Sequence, residues 1–409
     1  MMLTLRLAWR NLWRHPRRTW LTTGAMIFSN VILVFMISMQ LGMYGMMIDN
    51  TVRASTGHIQ VQARGYLEDQ KIRETVPDVA GLAATLEKDL NTKRVAPRAS
   101  AFALLSSADR SFGVQVLGVD PKQEKRVSSL PGLVAKGHYL DDLGTAEVVI
   151  GRMLADNLKT RVGDQLTLLG SGRDGSFAAA VLTVVGLLDT GNTEMDRGLA
   201  EIPLTFFQQT FSMGTSGHEV VVMSPSLLQV TSLQRRIQAL LPSGTNLVVL
   251  DWEQLIPGLK QAIQADLSSG IFMYAVLIVL VAFSVLNTQL MSVLERTKEF
   301  GIVLALGVSP GRLGRLVLIE SALMGALGLA LGVLLGGSLV LWFSFHGLTF
   351  PGLAEMAGRF NMPDRIFLRV TPIGLLLGPS IVYCASLLAT VYPMVKLYRI
   401  EPVTAMRAA

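Results

Sequence analysis

Four long apolar runs constrain the fold of this chain more than any other feature of its sequence. They cover residues 19–48, 267–294, 316–345 and 370–395, and the only acidic or basic residue within them is Glu320. Each run is longer than the roughly 20 residues that a helix needs to cross a bilayer. Half of the 409 residues are hydrophobic, which is too many for an ordinary soluble protein. The sequence therefore predicts an α-helical membrane protein with four transmembrane helices.

The positions of the basic residues predict how these helices cross the membrane. An N-terminal amphipathic segment, residues 1–18, contains five arginines and no acidic residue. Further basic residues lie in the loop at 295–315 and in the tail at 396–409. By the positive-inside rule all three segments are predicted to be cytoplasmic. Nucleic-acid binding is the alternative for such an arginine cluster, but a hydrophobic run follows it directly. The first run is also too long for the core of a cleavable signal peptide, which predicts a retained signal anchor.

The region between the first two runs, residues 49–266, is predicted to be a large extracytoplasmic α+β domain. A strand at 58–62, a helix with leucines at 82, 86 and 90, and an extended segment at 95–105 form one β-α-β pattern. The same order recurs at 219–223, 227–241 and 246–250. Short apolar runs between them predict a mainly β insert at about 106–215. A short external loop at 346–369 follows the third run.

The end of the domain is predicted to lead into the second run by a helix. Asp251 can cap a helix that begins at Trp252, and Leu255, Leu259 and Ile263 would form one face of it. Pro257 is expected either in an early turn or at a kink.

The segment that joins the second and third runs has two interpretations. It contains Glu295, Arg296, Glu299 and Arg312, while its middle, residues 300–308, is apolar. This pattern is typical of a short amphipathic helix at a membrane surface, suited to docking in a groove of another protein. An ordinary charged loop between two spans is the alternative. Composition alone favours neither of these two interpretations.

A resemblance to a known family bears on this choice. The segment contains Glu295-Arg296-x-x-Glu299-x-Gly301, then Ala305-Leu306-Gly307 and Glu320-Ser321, and the tail contains Arg399-Ile400-x-Pro402-Val403-x-Ala405-Met406-Arg407. These motifs resemble those of MacB/FtsX-type (type VII) permeases of ABC transporters, and the four spans with a large domain after the first agree with that family. Phe300 stands where the family usually has isoleucine. The resemblance covers nearly the whole chain.

The resemblance implies a function for the segment and a set of partners. In that family the loop docks on a separate ATPase, so the implied coupling residues here are Glu295, Arg296, Glu299, Phe300, Gly301, Leu304, Gly307 and Arg312. It also implies two ATPase subunits, a second permease copy or paralogue, and an inner-membrane location with cytoplasmic termini. A periplasmic carrier or adaptor is a further candidate partner.

Chain length and the two-part domain look most similar to the lipoprotein-releasing LolC/LolE branch of the family. That branch implies a lipid-linked protein as substrate, for which we predict contacts with Val34, Phe35, Met39, Phe272, Met273 and Val276. Lipid-facing or helix-packing roles are the alternative for each of these positions. Other functions remain open: an efflux permease for a peptide or drug with an adaptor, a non-transporting regulator of a cell-wall hydrolase, or a membrane-anchored sensor without an ATPase.

Glycines in the third run predict close helix packing. Gly328, Gly332 and Gly336 recur every fourth residue, a spacing that lets two helices approach closely. The sequence does not show whether the partner helix belongs to this chain or to another.

The sequence contains no motif that indicates catalysis or cofactor binding. Gly170-x-Gly172-x-x-Gly175 precedes a run rich in alanine and valine that favours a strand, so a hairpin is predicted rather than a nucleotide loop. The five histidines are scattered outside any metal-ligand spacing, and the acids Asp189, Glu194 and Asp196 are expected in a solvated loop. We therefore predict no catalytic, cofactor-binding or metal site in this chain, with ATP and Mg²⁺ bound by the partner ATPase.

Overall fold

Four helices are long and apolar enough to cross a membrane, as predicted: Thr19–Ala54, Pro257–Glu295, Pro310–His346 and Pro372–Leu397. The structure is a computed structural model that describes residues 2–14, 16–108, 110–242, 244–349, 351 and 365–398. Most of the predicted loop at 346–369 and of the predicted tail at 396–409, with its Arg399–Arg407 motif, lies outside the described residues.

The chain divides into two units. The membrane unit comprises Met1–Tyr44, Ile263–Thr349 and Arg365–Ala409. The second unit comprises Gly45–Ala262, called the inserted domain below, together with Phe350–Asp364, of which only Pro351 is described.

The structure contains the following α-helices and β-strands, numbered in chain order. The α-helices are α1 Met2–Arg14, α2 Pro16–Ala54, α3 Tyr66–Asp69, α4 Val79–Leu90, α5 Pro121–Val127, α6 Arg152–Leu158, α7 Thr193–Gly198, α8 Leu204–Thr210, α9 Val230–Leu240, α10 Trp252–Leu255, α11 Pro257–Glu295, α12 Thr297–Ala305, α13 Pro310–His346 and α14 Pro372–Leu397. The strands are β1 Ile59–Ala63, β2 Val95–Ser106, β3 Ser111–Val119, β4 Val134–Gly137, β5 Glu147–Gly151, β6 Gln165–Ser171, β7 Phe177–Leu188, β8 Leu199–Pro203, β9 Glu219–Val222 and β10 Leu247–Asp251.

The two β-α-β patterns predicted from sequence interlock in one half of the inserted domain. The strand order there is β10-β1-β9-β2, and every neighbouring pair is antiparallel. Strand β9 therefore lies between the two strands joined by α4, and β1 lies between the two strands joined by α9. This is the arrangement of a ferredoxin-like, split β-α-β fold.

The other half of the inserted domain is a six-stranded barrel. Strand β2 pairs with β3, β3 with β8, β8 with β5, β5 with β7, β7 with β6, and β6 with β2 again, which closes the sheet on itself. Closure removes the free strand edges. Buried residues from all six strands belong to one hydrophobic core, among them Leu105, Val116, Ile150, Leu168, Leu182 and Ile202.

A buried charged cluster lies in the inserted domain at the strand that both halves share. Arg98 on β2 and Glu124 on α5 form two hydrogen bonds, Nη2–Oε1 at 2.5 Å and Nε–Oε2 at 3.1 Å. Both side chains are almost completely buried. The third member, Glu201 on β8, is fully buried as well. Burial and the adjacent Glu124 carboxylate raise the pKa of Glu201 to about 8.

Of two sequence-based expectations about the inserted domain, one is met in part and the other is wrong. The helix capped by Asp251 begins at Trp252 as predicted, with Gln254 completing a capping box, but it ends at Leu255. A second helix starts at Pro257 because proline disfavours helical backbone in the residue before it and has no N–H to donate. The acidic segment is also not a solvated loop. Asn192 caps α7, and Asp196 is buried, where its Oδ1 accepts hydrogen bonds from the Thr190 backbone N–H at 3.0 Å and from its hydroxyl at 2.7 Å.

The glycine row on α13 packs against α2 of the same chain. A methyl group added to Gly328 would lie 2.8 Å from Met26 Cβ, and one added to Gly336 would lie 3.0 Å from Val34 Cβ. At Gly332 it would overlap Asn30 Cβ. Asn30 also donates a hydrogen bond from Nδ2 to the backbone oxygen of Gly328 at 3.1 Å. The small residues therefore allow the two backbones to approach closely.

We expect Gly332→Ala to destabilise the membrane unit by about 1–3 kcal/mol, the usual cost of forcing an extra methyl group into a packed contact. Gly337→Ala on the same helix provides a matched control, because among the described residues its added methyl would meet only Leu375 Cδ2, at 3.6 Å. Titration of the purified chain from mild detergent into SDS, followed by circular dichroism, measures the difference. Equal midpoints for the two variants would contradict the packing interpretation.

Candidate coupling site

The segment between α11 and α13 is an amphipathic helix whose apolar face is packed against the membrane unit. Phe300 on α12 is buried in a cluster with Val293, Leu313, Val317 and Leu397. Leu304, one turn further on, packs against the same cluster, and Gly301 is buried beside it. Because residues four apart share one face of a helix, these side chains fix the rotation of α12 about its axis.

Gly307 ends the helix in a defined geometry. Its φ angle is +91°, its N–H donates to Leu304 O at 3.0 Å, and the N–H of Val308 donates to Val303 O at 3.3 Å. These two hydrogen bonds define a Schellman motif, in which glycine at the first residue beyond the cap accepts a positive φ angle without strain. Helix α13 then begins at Pro310, so Arg312 lies in its first turn rather than in a loop.

An ionic network holds the start of α12. The Arg296 guanidinium lies 3.3 Å from the Glu320 carboxylate of α13 and 3.4 Å from Glu299 Oε2, and it stacks over the Phe300 ring at 5.0 Å. Asn11 of α1 donates a 2.6 Å hydrogen bond to Glu320 Oε1, and Arg14 pairs with Glu299 at 3.3 Å. Helix α12 is thereby joined to both α1 and α13.

The opposite face of α12 is exposed and mixed in character. It presents Lys298, Glu299 and Ile302, and it continues to Leu306, the C-cap residue, at helical intervals. Ile302 is 48% exposed and Leu306 is 79% exposed. These four residues, called the coupling face below, combine two accessible aliphatic side chains with charges of both signs. Such a surface is chemically suited to bind a groove on another protein.

The predicted coupling residues separate into two groups in the structure. Glu295, Glu299, Gly307 and Arg312 are exposed, whereas Arg296, Phe300, Gly301 and Leu304 face the membrane unit or are half-buried. The second group therefore positions α12 and offers little surface to a partner. The sequence-based set omitted three of the four coupling-face residues, Lys298, Ile302 and Leu306, although their spacing of four residues is visible in the sequence. No local pattern indicated Asn11 and Arg14, because they come from the other end of the chain.

The residues predicted to face substrate are also distributed over different environments. Val34 is buried on α2 with Val340 and Leu368, and Phe35 and Met39 pack against that cluster. The remaining three, Phe272, Met273 and Val276 of α11, are exposed.

The sequence matches two family models. The MacB-like periplasmic core domain model matches residues 19–240, and the FtsX-like permease C-terminal model matches residues 271–402. The first alone covers more than half of the chain.

Curated proteins similar to the chain include two transmembrane proteins of lipoprotein-releasing systems. LolC of Neisseria meningitidis serogroup B is 25% identical over 84% of this chain and 83% of its own length. LolE of Haemophilus influenzae is 22% identical over 80% of each chain. Among solved structures, the periplasmic region of MacB from Actinobacillus actinomycetemcomitans aligns with 53% of this chain and 97% of its own at 15% identity, with a TM-score of 0.37. On the two family models, this chain belongs to the MacB/FtsX-type family of ABC transporter permeases.

Proposed function

We propose that this permease couples ATP hydrolysis by a separate ABC ATPase to a conformational change of the inserted domain, and that the coupling face is where the ATPase docks. The observation that carries the proposal is that α12 is fixed on one side and exposed on the other. An immobilised helix transmits force to α1 and α13 when its exposed face is pushed. A flexible loop would absorb the same displacement.

The charge distribution supports a cytoplasmic position for the coupling face. Positive residues of α1 and of the segment around α12 border the apolar helices on what we infer to be the inner side of the membrane. In this orientation both chain termini are cytoplasmic, the inserted domain is extracytoplasmic, and the membrane is the inner membrane of the cell. ATP and Mg²⁺ would bind to two copies of the ATPase, and a second permease copy or a paralogue would complete the assembly.

We further propose that the substrate is a lipid-linked protein drawn from the membrane. The LolC and LolE relatives support this substrate class, since each matches at least four-fifths of this chain. The exposed apolar side chains of α11, among them Phe272 and Val276, offer a surface compatible with acyl chains.

Association with the ATPase should be lost when the coupling face is altered. We expect Leu306→Asp to weaken co-purification of a co-expressed ABC ATPase subunit at least tenfold, because burying a leucine contributes about 1.5–3 kcal/mol and a buried unpaired carboxylate opposes binding. We expect Glu299→Arg to abolish it by charge reversal. The ATPase encoded nearest to this chain in its genome is the first to co-express.

Leu228→Asp is the matched control for this experiment. Leu228 lies in the inserted domain and is 86% exposed, so the same substitution there should leave ATPase binding unchanged. Unaltered binding by both coupling-face variants would contradict the proposed docking surface. ATP hydrolysis by the purified chain alone would contradict the proposal that a separate ATPase subunit hydrolyses ATP.

A further inference from the structure

We propose that helix α1 binds anionic phospholipids, with three arginines contacting lipid phosphates and three tryptophans lying at the boundary between headgroups and acyl chains. The helix is attached to the membrane unit by one face only. Ala8 and Leu12 are buried, and Thr19 Oγ1 donates a 2.7 Å hydrogen bond to Leu12 O. Asn11, on the same side, is half-buried, whereas seven other described side chains of the helix are exposed: Leu5, Arg6, Leu7, Trp9, Arg10, Trp13 and Arg14.

The tryptophans form a continuous row beside the packed face. Trp9 and Trp13 are in edge-to-face contact with ring centroids 6.0 Å apart, and Trp13 contacts Trp20 of α2 in the same way at 6.4 Å. Their exposed fractions are 45%, 49% and 54%. Three exposed tryptophans next to the start of a membrane span would be costly in water, whereas the membrane interface accommodates both their apolar rings and their N–H groups.

The arginines lie on the far side of this row. With 3.6 residues per turn, Trp9 and Trp13 fall between the packed residue Ala8 and the exposed Arg6 and Arg10 around the helix. Arg17 is exposed at the start of α2. In the part of the chain that the structure describes, Arg6, Arg10 and Arg17 form no ion pair, whereas Arg14 is paired with Glu299.

The positive charge of this surface favours an anionic ligand. No acidic residue precedes Asp49 in the sequence, and the two described acids that contact α1, Glu299 and Glu320, are paired with Arg14 and Arg296 instead of the three arginines. Guanidinium groups bind phosphate oxygens by paired, charge-assisted hydrogen bonds. A nucleic acid would also satisfy the arginines, but it would leave the tryptophan row in water. The order of packed face, tryptophans and arginines around one helix therefore favours an anionic phospholipid, whose phosphate and acyl chains meet both kinds of side chain.

Tryptophan quenching by brominated lipids tests this proposal on the full chain in nanodiscs, without any ATPase. Trp252→Phe and Trp342→Phe remove the other two tryptophans, so that only Trp9, Trp13 and Trp20 report. Brominated phosphatidylglycerol, at about one-fifth of the lipid in a phosphatidylcholine disc, is compared with brominated phosphatidylcholine at the same fraction. Since each arginine near the surface contributes about fivefold to the relative affinity for anionic lipid, phosphatidylglycerol should be enriched around α1 more than tenfold. Quenching by it should then approach the value in a fully brominated disc.

Three variants complete the test. The triple variant Arg6→Gln, Arg10→Gln, Arg17→Gln should reduce quenching by brominated phosphatidylglycerol to that of brominated phosphatidylcholine. The triple lysine variant should retain a preference because it keeps the charge. Arg235→Gln with Arg236→Gln, two exposed arginines of α9, should have no effect. Equal quenching by the two lipids in the parent chain, no quenching by either, or a lipid preference that survives the glutamine variant would each overturn the proposal.

Discussion

Replacing Arg98 with methionine should lower the free energy of unfolding of the inserted domain by about 3–5 kcal/mol, the usual cost of leaving one partner of a buried ion pair uncompensated. Arg98 donates two hydrogen bonds to Glu124, and it also donates from Nη1 to the backbone oxygen of Ser55. Removing the guanidinium would leave the Glu124 carboxylate buried without its countercharge. It would also remove one partner of a main-chain carbonyl at the end of α2.

Urea denaturation of the full chain in detergent, read by pulse proteolysis of the inserted domain, measures this effect. Because the unfolding free energy falls by about 2–3 kcal/mol per molar urea for a domain of this size, the midpoint should fall by about 1–2 M. The method follows one domain, which avoids assuming that the whole chain unfolds in a single step.

Two further variants separate the ion pair from other consequences of losing an arginine. Arg152→Met breaks a 2.5 Å ion pair with Asp189 whose arginine is about half exposed, and it should cost less than about 1 kcal/mol. The double variant Arg98→Met, Glu124→Leu removes both buried charges and should recover most of the lost stability. A midpoint for Arg98→Met close to that of Arg152→Met would contradict the assigned role of the buried pair.

Replacing Glu201 with glutamine should make the inserted domain more stable near neutral pH. In the unfolded chain this carboxyl has its ordinary pKa near 4.5, whereas the folded domain raises the pKa of Glu201 to about 8. Well below pH 4.5 the carboxyl is protonated in both the folded and the unfolded state, so it does not change the free energy of unfolding. Between pH 4.5 and about 8 the folded state retains a proton that the unfolded state releases, so the stability of the native domain falls as the pH rises. In this range, each pH unit lowers the free energy of unfolding by up to about 1.4 kcal/mol.

Glutamine has the shape of the protonated acid and does not titrate. We therefore expect the Glu201→Gln variant and the parent chain to be equally stable near pH 4.5, and the variant to be more stable by about 3–4 kcal/mol at pH 7.5. The same urea titration at both pH values gives the difference. Other acids whose pKa is raised by burial, such as the half-buried Glu219, remain in both proteins, so the difference between the two proteins reports on Glu201 alone. An advantage for the variant that did not change with pH would refute the raised pKa.

Much of the membrane unit could be predicted from sequence because its signals are local. An apolar run of sufficient length predicts a membrane-spanning helix whatever its neighbours, and all four runs fall on such helices. The same is true of short turns. The glycine-rich segment at 170–175 joins β6 to β7 in a hairpin, with Ser171 opposite Phe177, as predicted. Asp251 also caps its helix as expected, because the capping bond spans only three residues.

The structure decided which of two local patterns prevailed where they competed. The four-residue spacing of Leu255, Leu259 and Ile263 favours one long helix, yet the backbone restriction imposed by Pro257 interrupts it after Leu255. Asp196 was expected in solvent because it lies between two glycines in an acidic segment. Its burial depends on Thr190, which supplies both hydrogen bonds that compensate for the loss of water.

What the sequence determined by itself was the number of spans, the α+β class of the inserted domain and an amphipathic segment between α11 and α13. Only the tertiary structure showed that Phe300 faces inward while Leu306 faces outward, that Gly332 packs on Asn30, and that Arg98 lies against Glu124. The reason is physical. Helix and turn signals arise from interactions within a few residues, whereas a packing partner is chosen by contacts between segments far apart along the chain, and no periodicity in either segment encodes the identity of the other.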